Sequence, residues 1–176
     1  MTLGHKIFGI VGWKNSGKTT LMEALVRELT RRGHRVSTIK HAHHAFDIDV
    51  PGKDSHRHRE AGAQEVLVAS AQRWALMHEL RGETEPTLEE LLVRLAPCDL
   101  VLVEGFKCGP HPKIEIVRES GRDGRIADTD ETVCAIASDS PALAADRQYL
   151  PLDNVAAIAD FICARCGLPR AQEPHL

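Results

Sequence analysis

No apolar run in this chain approaches the roughly 20 residues needed to cross a bilayer. Positive charge is not in surplus either: 22 Lys and Arg stand against 25 Asp and Glu, for a net charge of −3. That balance removes the case for general nucleic-acid affinity, which is driven by clustered cations neutralising phosphate. A disulfide framework is also lacking. The five cysteines, Cys98, Cys108, Cys134, Cys163 and Cys166, are odd in number and scattered, which argues for a reducing cytoplasm. Met1-Thr2-Leu3-Gly4-His5 runs directly into an apolar strand and leaves no room for a signal peptide, so the expected location is cytoplasmic. Internal repeats, low-complexity tracts and linkers are missing. The 176 residues, 43% hydrophobic and 27% charged, are therefore expected to fold as a single domain around one core.

What is present is concentrated near the start. Gly12-Trp13-Lys14-Asn15-Ser16-Gly17-Lys18-Thr19 matches the phosphate-binding pattern G-x-x-x-x-G-K-[ST]. Lys6–Val11 before it reads as a short buried strand, and Thr19–Arg32 after it as a helix with Leu21, Leu25 and Leu29 on one stripe. Glycines let the backbone curl so that several N–H groups converge on one anion, and the helix N-terminus adds partial positive charge. In such a loop Lys18 reaches the β- and γ-phosphates and the Thr19 hydroxyl holds Mg²⁺. The motif in this setting predicts a nucleoside triphosphate site.

The rest of the chain predicts an α/β protein. Gly33 ends the helix and Arg35–Lys40 reads as a strand, giving a strand–helix–strand unit with parallel pairing. Residues 41–60 are polar, rich in His and Arg, and interrupted by Pro51-Gly52, with a short helix near Ser55–Ala61 capped by Asp54. Gln64–Ser70 and Arg73–His78 read as two strands, and Thr87-x-x-Glu90 as a capping box before a Leu88, Leu91, Leu92, Leu95 stripe. Asp99–Glu104 has the continuous apolar character of a buried parallel strand. Lys113–Arg118 and Val133–Ala137 are further strands, with Glu119–Glu131 between them as a surface loop. Asp153 is the expected cap of a final helix, ended by Gly167 and Pro169. Short strands around 64–78 and 113–118 are candidates for extending a sheet between subunits.

Glu104, at the end of its apolar strand and before Gly105, is the acidic residue expected to complete a Mg²⁺ site with the loop. The Asn-Lys-x-Asp box of common GTPases is absent. Asp139, after a late strand, is a candidate reader of guanine, and a plain turn aspartate is an equal reading, so GTP and ATP both stay open. The His-rich loop has three readings: a solvated loop, an anion site, or a transition-metal site formed by His41, His43, His44, His56 and His58. Cys163-x-x-Cys166 falls in the last helix without a second pair, and packing explains it better than metal or redox chemistry.

These blocks together resemble the MobB family of GTP-binding adaptor proteins of molybdopterin-guanine dinucleotide biosynthesis. The likeness rests on Gly12–Thr20, Thr38-Ile39-Lys40-His41, Asp49-x-Pro51-Gly52-Lys53-Asp54-Ser55, Ala61-Gly62-Ala63, Val103-Glu104-Gly105-Phe106-Lys107 and Pro112-Lys113-Ile114-Glu115. It implies a three-layer P-loop NTPase fold with a mostly parallel sheet. It also implies a homodimer that binds GTP with Mg²⁺ and assists the nucleotidyltransferase MobA in attaching GMP to molybdopterin. Molybdopterin itself or molybdoenzymes are further candidate partners, and the family is at best a weak GTPase. Carried over by position, Gly12, Trp13, Lys14, Asn15, Ser16, Gly17, Lys18, Thr19 and Thr20 line the phosphates. Thr19 and Glu104 hold Mg²⁺, with Asp54 a third candidate. Lys40, His41, Lys53, Asp54 and Arg57 are the expected functional surface.

One dimeric branch of P-loop proteins completes its partner's site with an extra lysine at the position of Trp13, and Lys14 is one place off. With no evident glutamine or arginine finger, slow hydrolysis is expected. Two other readings stay on the table. One is a small-molecule kinase or ATP-dependent ligase on the same scaffold. The other is a nickel-delivery GTPase, for which Cys108-Gly109-Pro110-His111 would supply ligands.

Overall fold

A computed structural model describes residues 4–42, 46–121 and 124–169. The chain divides into two compact units, Met1–His41 with Leu88–Leu176, and Ala42–Thr87. In the first unit, six strands form one parallel sheet: β1 (Ile7–Gly12), β2 (Val36–Lys40), β5 (Leu100–Glu104), β6 (Lys113–Val117), β7 (Val133–Ser138) and β8 (Gln148–Pro151). Their spatial order is β2-β5-β1-β6-β7-β8. The strand–helix–strand unit is parallel as expected, but β5 lies between β1 and β2.

Alternation along the strands builds the layers. Phe8, Ile10, Leu100 and Leu102 face a core shared with helix α1 (Lys18–Arg31) and helix α4 (Val155–Cys166). Leu21, Leu25 and Leu29 of α1 and Ile158 and Ile162 of α4 are buried there, each contributing about 1.5–3 kcal/mol. Val101 and Val103 face the other way, onto Leu88 and Leu92 of the short helix α3 (Leu88–Leu92). Cys163 and Cys166 pack in the first core, and burial raises both thiols, Cys166 to about 11. They are protonated packing groups.

Four local expectations need correction. The cap of α4 is Asn154, whose side chain accepts from Ala157 N at 3.0 Å, and not Asp153. In the second unit, helix α2 (Asp54–Glu60) starts one residue early, so Asp54 is its first residue and Lys53 the cap. Glu119–Glu131 is not wholly a surface loop: a 3₁₀ turn at Ile126–Asp128 buries Ile126 and Ala127. The reason is Glu115, fully buried on β6, whose two carboxylate oxygens accept Ile126 N and Ala127 N at 2.8 Å each. A buried carboxylate needs such donors, and the loop folds inward to supply them. Lastly, β6 cannot extend a sheet between subunits, because β1 and β7 occupy both of its edges.

The second unit carries α2 and an antiparallel hairpin of β3 (Glu65–Ala69) and β4 (Trp74–His78). Arg59 of α2 ties it together through Asp47 at 2.9 Å and Glu79 at 3.0 Å.

Beside Glu115, Lys113 is completely buried, with its ammonium bonded to Gly109 O at 2.7 Å, to Thr132, and paired with Asp130 at 3.2 Å. His111 lies buried against it, and neither ring nitrogen has a protein partner. Burial, and then the Lys113 charge, lower its pKa from 6.5 to about 4. The folded chain thus holds His111 neutral where the unfolded chain would protonate it. Stability from this group is present above pH 6.5 and is lost as pH falls toward 4. Replacing His111 by Leu should flatten that slope by up to about 1.4 kcal/mol per pH unit. Denaturant melts from pH 7 to 4 check it, and an unchanged slope in His111→Leu would contradict a buried neutral imidazole.

Candidate functional site

The loop between β1 and α1 has the backbone that an anion site requires. Gly12 and Gly17 adopt φ of 146° and 101°, open to glycine and strained for other residues. Gly17 is the helix cap and offers no side chain, and the first turn holds no acidic residue. The first N–H groups of α1 have no intrahelical acceptor and carry the positive end of the helix dipole. The Ser16 hydroxyl is buried without a hydrogen-bond partner. The Lys18 ammonium donates to Gly12 O at 2.9 Å and Trp13 O at 2.7 Å. Trp13, Lys14 and Asn15 are exposed along the loop, and Thr19 and Thr20 on the first turn of α1.

Strand order brings the acid to this loop. Because β5 pairs with β1 in the register Ile10↔Glu104, the last residue of β5 ends beside the loop's entry. Thr19 Oγ1 donates to Glu104 Oε1 at 3.2 Å, and Lys40, level with Glu104 on β2, approaches the same oxygen at 3.5 Å. Gly105 N donates back to Ile10 O, and His41 N to Glu104 O at 2.9 Å. A hydroxyl and a carboxylate side by side are hard oxygen donors of the kind Mg²⁺ takes, with water and phosphate oxygens completing its shell. The residues fit that ion.

The electrostatics favour an anionic guest. The Lys18 pKa is lowered, chiefly by burial, with Glu104 opposing and Lys107 and Lys40 adding to the effect. The charges of Lys40 and Lys107 thus both act on the Lys18 ammonium.

On the other side of β1 lies a residue that pattern reading missed. Arg118 follows β6, whose Ile116 is level with Gly12. Its Nε donates to Ser16 O at 3.1 Å, and a Cβ on Gly17 would stand 3.1 Å from its Nη2. Arg118 also faces Asp139 at 3.6 Å, and Asp139 Oδ1 accepts Glu119 N at 3.2 Å. That N–H bond, first among several causes, holds the Asp139 carboxyl below its usual range. Asp139 is therefore joined to the loop through Arg118. The available signal was an arginine directly after a strand adjacent to the P-loop strand, and a strand's neighbours are not readable from periodicity.

Lys53, Asp54 and Arg57 belong to the second unit and are exposed on α2 or at its cap. His56 and His58 lie on the same helix, while His43 and His44 fall outside the described residues. Among the described residues no three His, Cys, Asp or Glu side chains gather as a metal site. Cys108 is exposed whereas His111 is buried, so the two do not form a shared surface pair for nickel. Nor is any described helix long and apolar enough to cross a membrane.

Comparison with known proteins shows the family. The family model described as "MobB: Molybdopterin guanine dinucleotide synthesis protein B" matches residues 7–139. The molybdopterin-guanine dinucleotide biosynthesis adapter protein of Escherichia coli K12 is 43% identical over 159 residues, covering 89% of this chain and 90% of that protein. The protein of the same description from Haemophilus influenzae is also 43% identical over 159 residues, covering 89% of this chain and 86% of its own. A crystal structure of molybdopterin-guanine biosynthesis protein B superposes with a TM-score of 0.73 at 27% identity, covering 92% of this chain and 99% of that one. A MobB homologue from Bacillus stearothermophilus gives 0.68 at 26% identity, covering 92% and 98%. With its parallel sheet, its P-loop and a match over most of its length, the chain belongs to the MobB family.

Proposed function

We propose that this protein binds GTP with Mg²⁺ in the cytoplasm and acts as an adapter in molybdopterin-guanine dinucleotide biosynthesis, assisting the nucleotidyltransferase MobA. The observation that carries the reading is the contact of Thr19 Oγ1 with Glu104 Oε1 at 3.2 Å, beside an uncapped helix N-terminus. Backbone N–H groups of the loop and Lys18 hold the phosphates, and Thr19 and Glu104 hold Mg²⁺. Bound there, Mg²⁺ supplies charge neutralisation between phosphate oxygens. Asp139 accepts the guanine N–H pair, a pattern adenine does not offer. Lys40 and His41 in the first unit, and Lys53, Asp54 and Arg57 in the second, are assigned to the pterin phosphate or the partner enzyme.

Hydrolysis is slow in this reading. Among the described residues, the guanidinium bonded to the loop is that of Arg118, which follows β6, whereas Glu104 ends β5. It is thus poorly located to act on the terminal phosphate, where an arginine is worth several powers of ten.

A homodimer formed through the hairpin completes the proposal. A lone two-stranded sheet is marginal in water. One face of this hairpin carries Leu67, Leu76 and Trp74 in register, exposed at 61%, 41% and 67%. A second copy would cover this apolar strip and satisfy a free strand edge.

The direct test adds the purified protein to MobA, molybdopterin and GTP–Mg²⁺ and measures GMP attachment. Stimulation is expected, with most of it lost in Lys18→Ala. No stimulation, or equal stimulation by the variant, would refute the adapter reading. Glu104→Ala should weaken Mg²⁺-dependent GTP binding about tenfold or more while leaving the melting temperature within a few degrees. A Mg²⁺ titration indifferent to the change removes Glu104 from the site. Trp74→Glu combined with Leu76→Lys should yield a monomer in sedimentation, and an unaltered mass would exclude the hairpin as the dimer surface.

A further inference from the structure

The proposed nucleotide site leaves one feature of the loop without a role. The Lys107 ammonium lies over the Trp13 ring, 3.9 Å from its centroid. Trp13 is held from behind, because its indole N–H donates to Gly124 O. Its own carbonyl oxygen already accepts the Lys18 ammonium at 2.7 Å. Two ammonium groups therefore converge on one residue of the P-loop, one at its carbonyl and the other on its ring.

Location indicates which part of a ligand Lys107 would meet. Lys107 follows Glu104 by three residues, and the ring it covers belongs to the residue whose carbonyl accepts the Lys18 ammonium. In P-loop proteins the lysine of the motif reaches the β- and γ-phosphates, and the metal bridges those same groups. A cation held on the residue that also holds Lys18 bears on those same phosphates.

Magnitudes decide where the ammonium rests. A cation–π contact at an exposed site is weaker than a hydrogen bond between oppositely charged groups. A terminal phosphate within reach therefore outcompetes the indole, and it also relieves the repulsion between Lys107 and Lys18. A diphosphate leaves the indole as the better partner.

We propose that Trp13 and Lys107 form a terminal-phosphate sensor: the indole parks the Lys107 ammonium when a diphosphate or no nucleotide is bound, and a triphosphate draws it away. The inference rests on the nucleotide site proposed above.

The two tryptophans of the chain make the step observable. In full-length protein carrying Trp74→Phe, indole emission is followed during titration with GDP and with a non-hydrolysable GTP analogue, both with Mg²⁺. The triphosphate should change the emission and GDP should not. Lys107→Ala should abolish that difference and weaken triphosphate binding about tenfold, with GDP affinity changed less than about twofold. Lys107→Arg should restore both the emission change and the affinity ratio. Equal emission changes with GDP and the triphosphate would overturn the sensor, as would an unaltered affinity ratio in Lys107→Ala. Failure of the unmodified protein to bind either nucleotide in calorimetry would overturn the nucleotide site itself, and the sensor with it.

Discussion

The pairing of β5 with β1 is the constraint on which the rest of the structure depends. Parallel strands in adjacent positions end at the same edge of a sheet, so the register Ile10↔Glu104 sets a carboxylate at the mouth of the P-loop. Inserting β5 between β1 and β2 does this without any special loop. It also sets Lys40 level with Glu104 on the far side. The sheet is buried on both faces, and the alternation of Leu100 and Leu102 with Val101 and Val103 locks that register. A one-residue slip would turn every core residue of β5 to the wrong layer. Packing energy thus secures the geometry of the site.

The second consequence is electrostatic. Lys40 approaches Glu104, and the charges of Lys40 and Lys107 both act on Lys18 against that of Glu104. On the opposite side of β1, Arg118 and Asp139 neutralise each other against the loop backbone. The two sides of the P-loop strand therefore differ in character, one cationic and open and the other paired. In the proposed function the phosphates meet the first side and the base meets the second. Deeper in the same unit, Glu115 and Lys113 are buried charges whose hydrogen bonds organise residues 126–132 and the layer beneath the sheet.

Much of this was legible in the residues. The P-loop announces itself because glycine positions and the flanking strand and helix are local properties. The apolar run ending at Glu104 was enough to nominate that residue, since a buried parallel strand has little other use for a terminal carboxylate. What escaped had non-local causes. Arg118 and Lys107 gain their significance from strand order, which no periodicity encodes. The edge strand β8 is short and ends in Pro151, so it lacks both length and a typical strand composition. Proline is tolerated there because only β7 pairs with it. The 3₁₀ turn at Ile126–Asp128 lies in a polar stretch and forms because a buried Glu115 demands its N–H groups. The choice of Asn154 over Asp153 as a helix cap turned on a single residue of chain direction.

The central claim is that this fold offers one Mg²⁺-dependent site selective for a guanine triphosphate. Calorimetric titration of the full-length protein with GTP and with ATP, each with and without Mg²⁺, tests it most directly. The account predicts that GTP binds with Mg²⁺, that chelation weakens it strongly, and that ATP binds much less tightly. Equal affinity for ATP, or GTP binding indifferent to Mg²⁺, would contradict it.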